Sequence, residues 1–131
     1  MSIMVKKIAI VTTATGSITA EILDGKNPRT AEAVWKALPI EGSANRWGDE
    51  IYFSVPVSVE LEQGQQTVDV GAVGYWPPGK AICIFFGPTP VSRGSEPRAY
   101  SPVNVFAKVL GDSSVFKRVK NGEKVTIERI A

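Results

Sequence analysis

The sequence predicts a mainly β domain, a closed barrel of about eight strands with two flanking helices. Three observations predict it. Apolar residues alternate with polar ones at a period of two through much of the chain, the mark of half-buried strands. Only two segments carry the helical period instead. A sheet so rich in strands must hide its edges, and closure into a barrel does that. The 131 residues fit a single domain over 1–131 and leave no room for two.

The elements follow in order. A first strand covers 6–13, and Thr15-Gly16 turns it into a second over 17–23, where Ile18, Ala20 and Ile22 alternate. Asn27 stands where it would cap a helix beginning at Pro28, a favoured first helical residue. Ala31, Val34, Trp35 and Leu38 then recur at i, i+3, i+4 and i+7, and Pro39 ends the helix. The clearest strand runs from Ile51 to Leu61. Ile51, Phe53, Val55, Val57, Val59 and Leu61 share one face, and Tyr52, Ser54, Ser58 and Glu60 share the other. Pro56 interrupts it and predicts an edge or a bulge, because proline has no N–H for a ladder.

The run 81–86 is apolar on both faces, as a strand covered on both sides requires. Val103, Val105, Ala107 and Val109 alternate with Asn104, Phe106 and Lys108. A shorter helix, capped by Asp112 or Ser113, turns Val115, Phe116 and Val119 inward and closes at Gly122 in the left-handed region. Val125 and Ile127 mark the last strand. Two stretches read as loops, 71–80 and 87–102, and loops on a rigid barrel are where binding groups sit.

Composition narrows the function. The net charge is +2, without the basic excess of a nucleic-acid binder. Lys117, Arg118, Lys120 and Lys124 read as a solvated face with favourable charge at a helix C-terminus. The apolar stretch Ile8–Val11 is shorter than the roughly 7–15 residues of a signal sequence's apolar region. Nothing reaches the roughly 18 apolar residues of a membrane span. The expectation is a cytoplasmic protein with neither membrane nor nucleic acid as partner.

The single cysteine, Cys83, lies in an apolar run and reads as a buried thiol. With no histidine in the chain, neither a Ser-His-Asp nor a Cys-His arrangement is possible, and no zinc site of the usual histidine-rich type is expected. No glycine-rich nucleotide motif occurs, so no cofactor is expected. A base working near neutral pH would have to be a shifted carboxylate or lysine.

Three segments carry a resemblance: 45–56 (Asn45-Arg46-Trp47-Gly48-Asp49-Glu50-Ile51-Tyr52-Phe53-Ser54-Val55-Pro56), 71–81 (Gly71 through Tyr75-Trp76-Pro77-Pro78 to Ala81) and 85–90 (Phe85-Phe86-Gly87-Pro88-Thr89-Pro90). In order and spacing they resemble the cyclophilin-like domain family of small bacterial and archaeal proteins. The resemblance implies a closed barrel of about eight strands and no assigned activity. A more distant likeness is to the cyclophilins themselves. Phe85-Phe86, Val105-Phe106-Ala107-Lys108-Val109, Gly111-Asp112 and Gly122…Val125-Thr126-Ile127 follow cyclophilin order. The F-H-R motif that supplies the isomerase arginine is absent, and Val103 or Asn104 stands where cyclophilins carry a histidine.

Seven residues are the candidate lining of a ligand groove: Arg46, Trp47, Tyr52, Tyr75, Trp76, Phe86 and Asn104. Aromatic rings beside prolines form platforms for a peptide or a flat molecule, and an arginine beside them would donate to a carbonyl or carboxylate. The bland alternatives are a rigid turn covered by Trp76 and a strand entry anchored by Trp47. Glu50 falls opposite the core set, facing either solvent or an interior.

The leading expectation is a module that binds a peptide or a small ligand. The alternative is a peptidyl-prolyl isomerase in which Arg46 and Phe86 would have to serve. A third reading, an enzyme with Glu50 or Asp69 as base, has only the presence of those carboxylates behind it.

Overall fold

The structure is a computed structural model that describes residues 5–23 and 25–130. Among the described residues ten strands and one α-helix follow in the order β1 (Lys7–Thr12), β2 (Gly16–Ile22), α1 (Pro28–Ala37), β3 (Ile40–Ser43), β4 (Asn45–Arg46), β5 (Glu50–Ser54), β6 (Gln65–Thr67), β7 (Ala72–Trp76), β8 (Ala81–Phe85), β9 (Arg98–Val109) and β10 (Lys124–Ile130). Short 3₁₀ segments occupy Pro77–Gly79 and Ser113–Arg118.

All pairings are antiparallel, and the sheet order is β3-β10-β1-β2-β9-β7-β8-β5-β4, with β6 added beside β9. The two ends of that order, β3 and β4, are consecutive along the chain with only Ala44 between them. The sheet curls far enough to bring β3 against β5: a Cβ on Gly42 would lie 2.8 Å from the Phe53 ring. No ladder joins the two ends, so hydrogen bonding among the described residues does not close the sheet.

The expected alternation at 51–61 survives as burial and fails as a ladder. Ile51, Phe53, Val55 and Val57 are all buried, yet β5 stops at Ser54. Pro56 removes a donor, and a side chain then serves the backbone beyond it. The Tyr75 hydroxyl donates to the Val57 carbonyl at 2.6 Å and accepts from the Val59 N–H at 3.4 Å. The segment 55–61 is therefore a strap that buries Val55 and Val57 and leaves Pro56, Ser58, Glu60 and Leu61 exposed.

Two stretches read as loops, 71–80 and 87–102, are strand in part. β7 lies within 71–80, where Gly74 lets the Val103 side chain pack closely and broke the apolar pattern. β9 begins at Arg98, five residues before the alternation is visible. Its register against β7 skips Phe106, since Val73 faces Ala107 and Gly74 faces Val105. This bulge shifts the strand's facing. Val103 and Val105 join a smaller cluster on one face, and Phe106, Ala107 and Val109 join the main core on the other.

Both helix predictions hold in position and differ in detail. The second is a 3₁₀ segment with the Asp112 side chain accepting from the Ser114 N–H; it ends at Arg118 with the extended Val119 as its cap, so Gly122, though left-handed at φ 86°, does not close it. At α1 the cap comes from far along the chain. Asn27 is itself left-handed, and its side chain is spent on the Val105 carbonyl and the Gln63 N–H. Glu62 accepts instead from the Thr30 N–H and hydroxyl, both at 2.7 Å. Asn104 completes this knot, donating to Thr30 Oγ1 and the Glu60 carbonyl and accepting from the Glu62 N–H.

Asn104 is fully buried, and its removal would leave three polar groups without their partner. We predict that Asn104→Ala lowers stability by about 2–4 kcal/mol. Urea unfolding checks this, and a loss below about 1 kcal/mol would show that the knot is not holding the strap and α1.

Candidate functional site

Between β4 and β5 the chain reverses over Trp47-Gly48-Asp49. The Trp47 N–H donates to the Glu50 carbonyl at 2.9 Å, and Gly48 takes φ 60°, a conformation open to glycine at little cost. Gly48 also lies against Pro90, where a Cβ would stand 2.8 Å from the proline ring. The Asp49 N–H donates to the Pro88 carbonyl and the Phe86 N–H to the Asp49 carbonyl, each at 2.9 Å. The turn is thus tied to the loop after β8, and Trp47 and Glu50 are held together at its base.

The pleat then decides where Glu50 points. Ile51 and Phe53 enter the main core, so Glu50 and Tyr52 face the opposite, smaller cluster. Across the ladder Tyr52 pairs with Cys83. Trp76 from β7 and Ala99 and Tyr100 from β9 complete a cavity of about 200 Å³. The Tyr100 ring meets Trp47 at 6.3 Å and 69°, and Trp76 at 6.1 Å and 85°. The Trp76 indole N–H donates to Ser101 Oγ at 2.6 Å, and the bare Gly79 makes room for the ring.

Glu50 is the anomaly of this site. It is only 4% exposed, and its Oε1 has no hydrogen-bond partner. Burial pushes its carboxyl up to about 7, partly offset by a hydrogen bond from the Cys83 thiol. Burial, and then the Glu50 carboxylate, push that thiol well above its ordinary range, so Cys83 stays protonated and donates. No basic residue lines the cavity. Among the described residues one other buried side-chain atom lacks a partner, Nε of Arg98, which lies outside the lining. A carboxyl that titrates near neutrality can carry charge or hold a proton at working pH.

Of the seven candidate residues the structure brings Trp47, Tyr52 and Trp76 together. Tyr75 is adjacent to Trp76 on a strand, so it points the other way, into the main core. Phe86 is buried there too, 6.1 Å from the Phe116 ring. Asn104 belongs to the knot at α1.

Arg46 is fully engaged. Its guanidinium donates to the carbonyls of Gly48, Lys117 and Val119, pairs with Asp49 at 3.2 Å and lies over the Phe86 ring. It clamps the β4–β5 turn to the 3₁₀ segment. The two groups an isomerase would need from this chain are therefore committed elsewhere. Asp69 is exposed and outside the cavity. Sequence reasoning missed Cys83, Ala99 and Tyr100 as lining. Pro97 and Pro102 bracket Tyr100 and hid its strand, and Cys83 pointed only to burial.

Comparison with known proteins agrees with this architecture. The family model described as cyclophilin-like matches residues 6–128. The solution structure of the hypothetical protein AF2241 from Archaeoglobus fulgidus is 41% identical, with a TM-score of 0.81 over 96% of this chain and 95% of that one. The structure of McbB in complex with tryptophan is 17% identical, with a TM-score of 0.70 over 92% of this chain and 44% of that one, a likeness of fold alone. No curated protein matches. Among the described residues no helix is long and apolar enough to cross a membrane. With the matched model spanning nearly the whole chain, this protein belongs to the cyclophilin-like family.

Proposed function

We propose that this chain is a small-ligand-binding module whose site is the cavity walled by Trp47, Tyr52, Trp76 and Tyr100 over Glu50. One observation carries the reading: a buried carboxylate oxygen without a partner, set among aromatic rings. Desolvating an ionisable group opposes folding, and such groups persist where a ligand or a reaction uses them. The volume of about 200 Å³ lies below the roughly 300–1,000 Å³ of drug-sized pockets, so it suits a small molecule or a single side chain rather than a run of peptide. The reading also takes the curled sheet as the family's closed barrel, for which the single-residue link at Ala44 and the approach of Gly42 to Phe53 speak.

A second reading has one observation in its favour. A cavity carboxyl near 7 is suited to general acid–base work on a bound molecule. The isomerase alternative has no comparable support, given the engagement of Arg46 and Phe86.

Two expectations follow from the site. The Glu50 carboxyl is raised in the folded state from 4.5 to about 7, so the folded chain holds a proton that the unfolded chain has lost. Stability contributed by this group is therefore full below about pH 4.5, falls as pH rises toward 7, and stays low above. Glu50→Gln should leave stability nearly unchanged at about pH 4 and raise it by roughly 3 kcal/mol at about pH 8. Urea unfolding at the two pH values checks this, and equal effects at both would contradict the buried, unpaired carboxyl.

The second expectation concerns binding itself. In a fragment screen by NMR on protein with nitrogen-15-labelled indoles, binders should move the Trp47 and Trp76 signals and leave Trp35, which lies on α1, in place. Shifts confined to Trp35, or no binder at all, would defeat the proposed site.

A further inference from the structure

We infer that the cavity selects a small organic cation, an alkylammonium group seated between the aromatic rings and the Glu50 carboxylate. This rests on the reading of the cavity as a ligand site and adds the charge of the ligand. Tyr100 stands near right angles to Trp47 and to Trp76, at 69° and 85°, so neither pair is stacked face to face. The face of an aromatic ring is electron-rich and attracts a cation, most strongly for tryptophan. Two tryptophans and two tyrosines line this space.

The floor supplies the opposite charge. Glu50 Oε1 is buried, open toward no protein donor, and without a basic neighbour in the lining. The titratable groups that face it are the Cys83 thiol from β8, the Tyr52 phenol from β5 and the Tyr100 phenol from β9. None of them brings positive charge. Arg46, the nearest arginine in sequence, is held by Asp49 and three carbonyls, and Arg98 lies outside the lining. An incoming cation would complete an ion pair that the chain leaves half-built.

A neutral ligand accepting a hydrogen bond from protonated Glu50 is the competing occupant, and the two differ in the sign of their pH dependence. A cation needs the ionised carboxyl. With the carboxyl at about 7, the ionised fraction rises about tenfold from pH 6 to pH 8, and affinity for a cation rises with it. A neutral acceptor needs the proton and weakens over the same range. The electron-rich walls also disfavour the oxygen of such an acceptor.

The test uses three matched probes, phenyltrimethylammonium, its neutral isostere tert-butylbenzene, and the anion benzenesulfonate, titrated against the intact chain and followed at the Trp47 and Trp76 indole signals. The inference predicts binding of phenyltrimethylammonium at least about tenfold tighter than tert-butylbenzene at pH 8, no measurable binding of benzenesulfonate, and a further tenfold loss for the cation at about pH 6. Glu50→Gln should erase the pH dependence and sharply reduce the preference while leaving tert-butylbenzene within about twofold. If that variant does not fold, the pH series on the unsubstituted chain decides alone. Equal binding of cation and neutral isostere, or cation affinity that falls as pH rises, would overturn the inference and leave the ligand site standing. Silence of both indoles toward all three probes would remove the site as well.

Discussion

Ile51 and Phe53 are fully buried in the main core, and the pleat of β5 then sends Glu50 and Tyr52 to the opposite face. That face is not solvent. Cys83 and Phe85 of β8, Val103 and Val105 of β9, and Ala99 near the start of β9 cover it as a second cluster. A register slip of one residue would put the carboxylate into the main core and two large apolar side chains on the other face. The depth of burial at 51 and 53 therefore fixes the place of the one unpaired buried carboxylate among the described residues, and the character of the site follows from it.

Around that point the chain is stiffened by groups whose roles are purely positional. Arg46 ties the turn that bears Trp47 to the 3₁₀ segment 113–118, and Asp49 ties the same turn to the loop after β8. Trp76 is fixed by Ser101. A site held by such a frame loses less freedom when a ligand enters, which favours binding without new contacts. The knot of Asn27, Thr30, Glu62 and Asn104 does equivalent work at the other side of the core, where the strap 55–61 has no ladder of its own.

Much of the fold is legible in the sequence, and the misses have physical causes. The period-two signal at 51–57 and 124–127 correctly picks out the main-core side, because Ile51, Phe53, Val55, Val57, Val125 and Ile127 are all buried. It fails at 72–76 because both faces are covered and Gly74 presents no side chain, and at 98–102 because prolines bracket a strand that is half exposed. The site is legible only in part. Trp47, Tyr52 and Trp76 stand out by residue type, but Tyr75 shares that type and points the other way. Arg46 and Asn104 resemble ligand-binding groups for the same reason that they bind the chain itself: each has several polar atoms to satisfy. Glu50 carries no local mark at all, because its anomaly is the lack of a partner, and that is a property of the whole folded chain.

The central claim is that this carboxyl is desolvated in the folded protein and has no cationic partner there. Its most direct test is the carbon-13 chemical shift of the Glu50 side-chain carboxyl followed from about pH 4 to about pH 9. The structure predicts a single titration centred at about 7. A midpoint at the ordinary glutamate value of 4.5 would mean that water or a donor reaches Glu50, and the account built on it would fall.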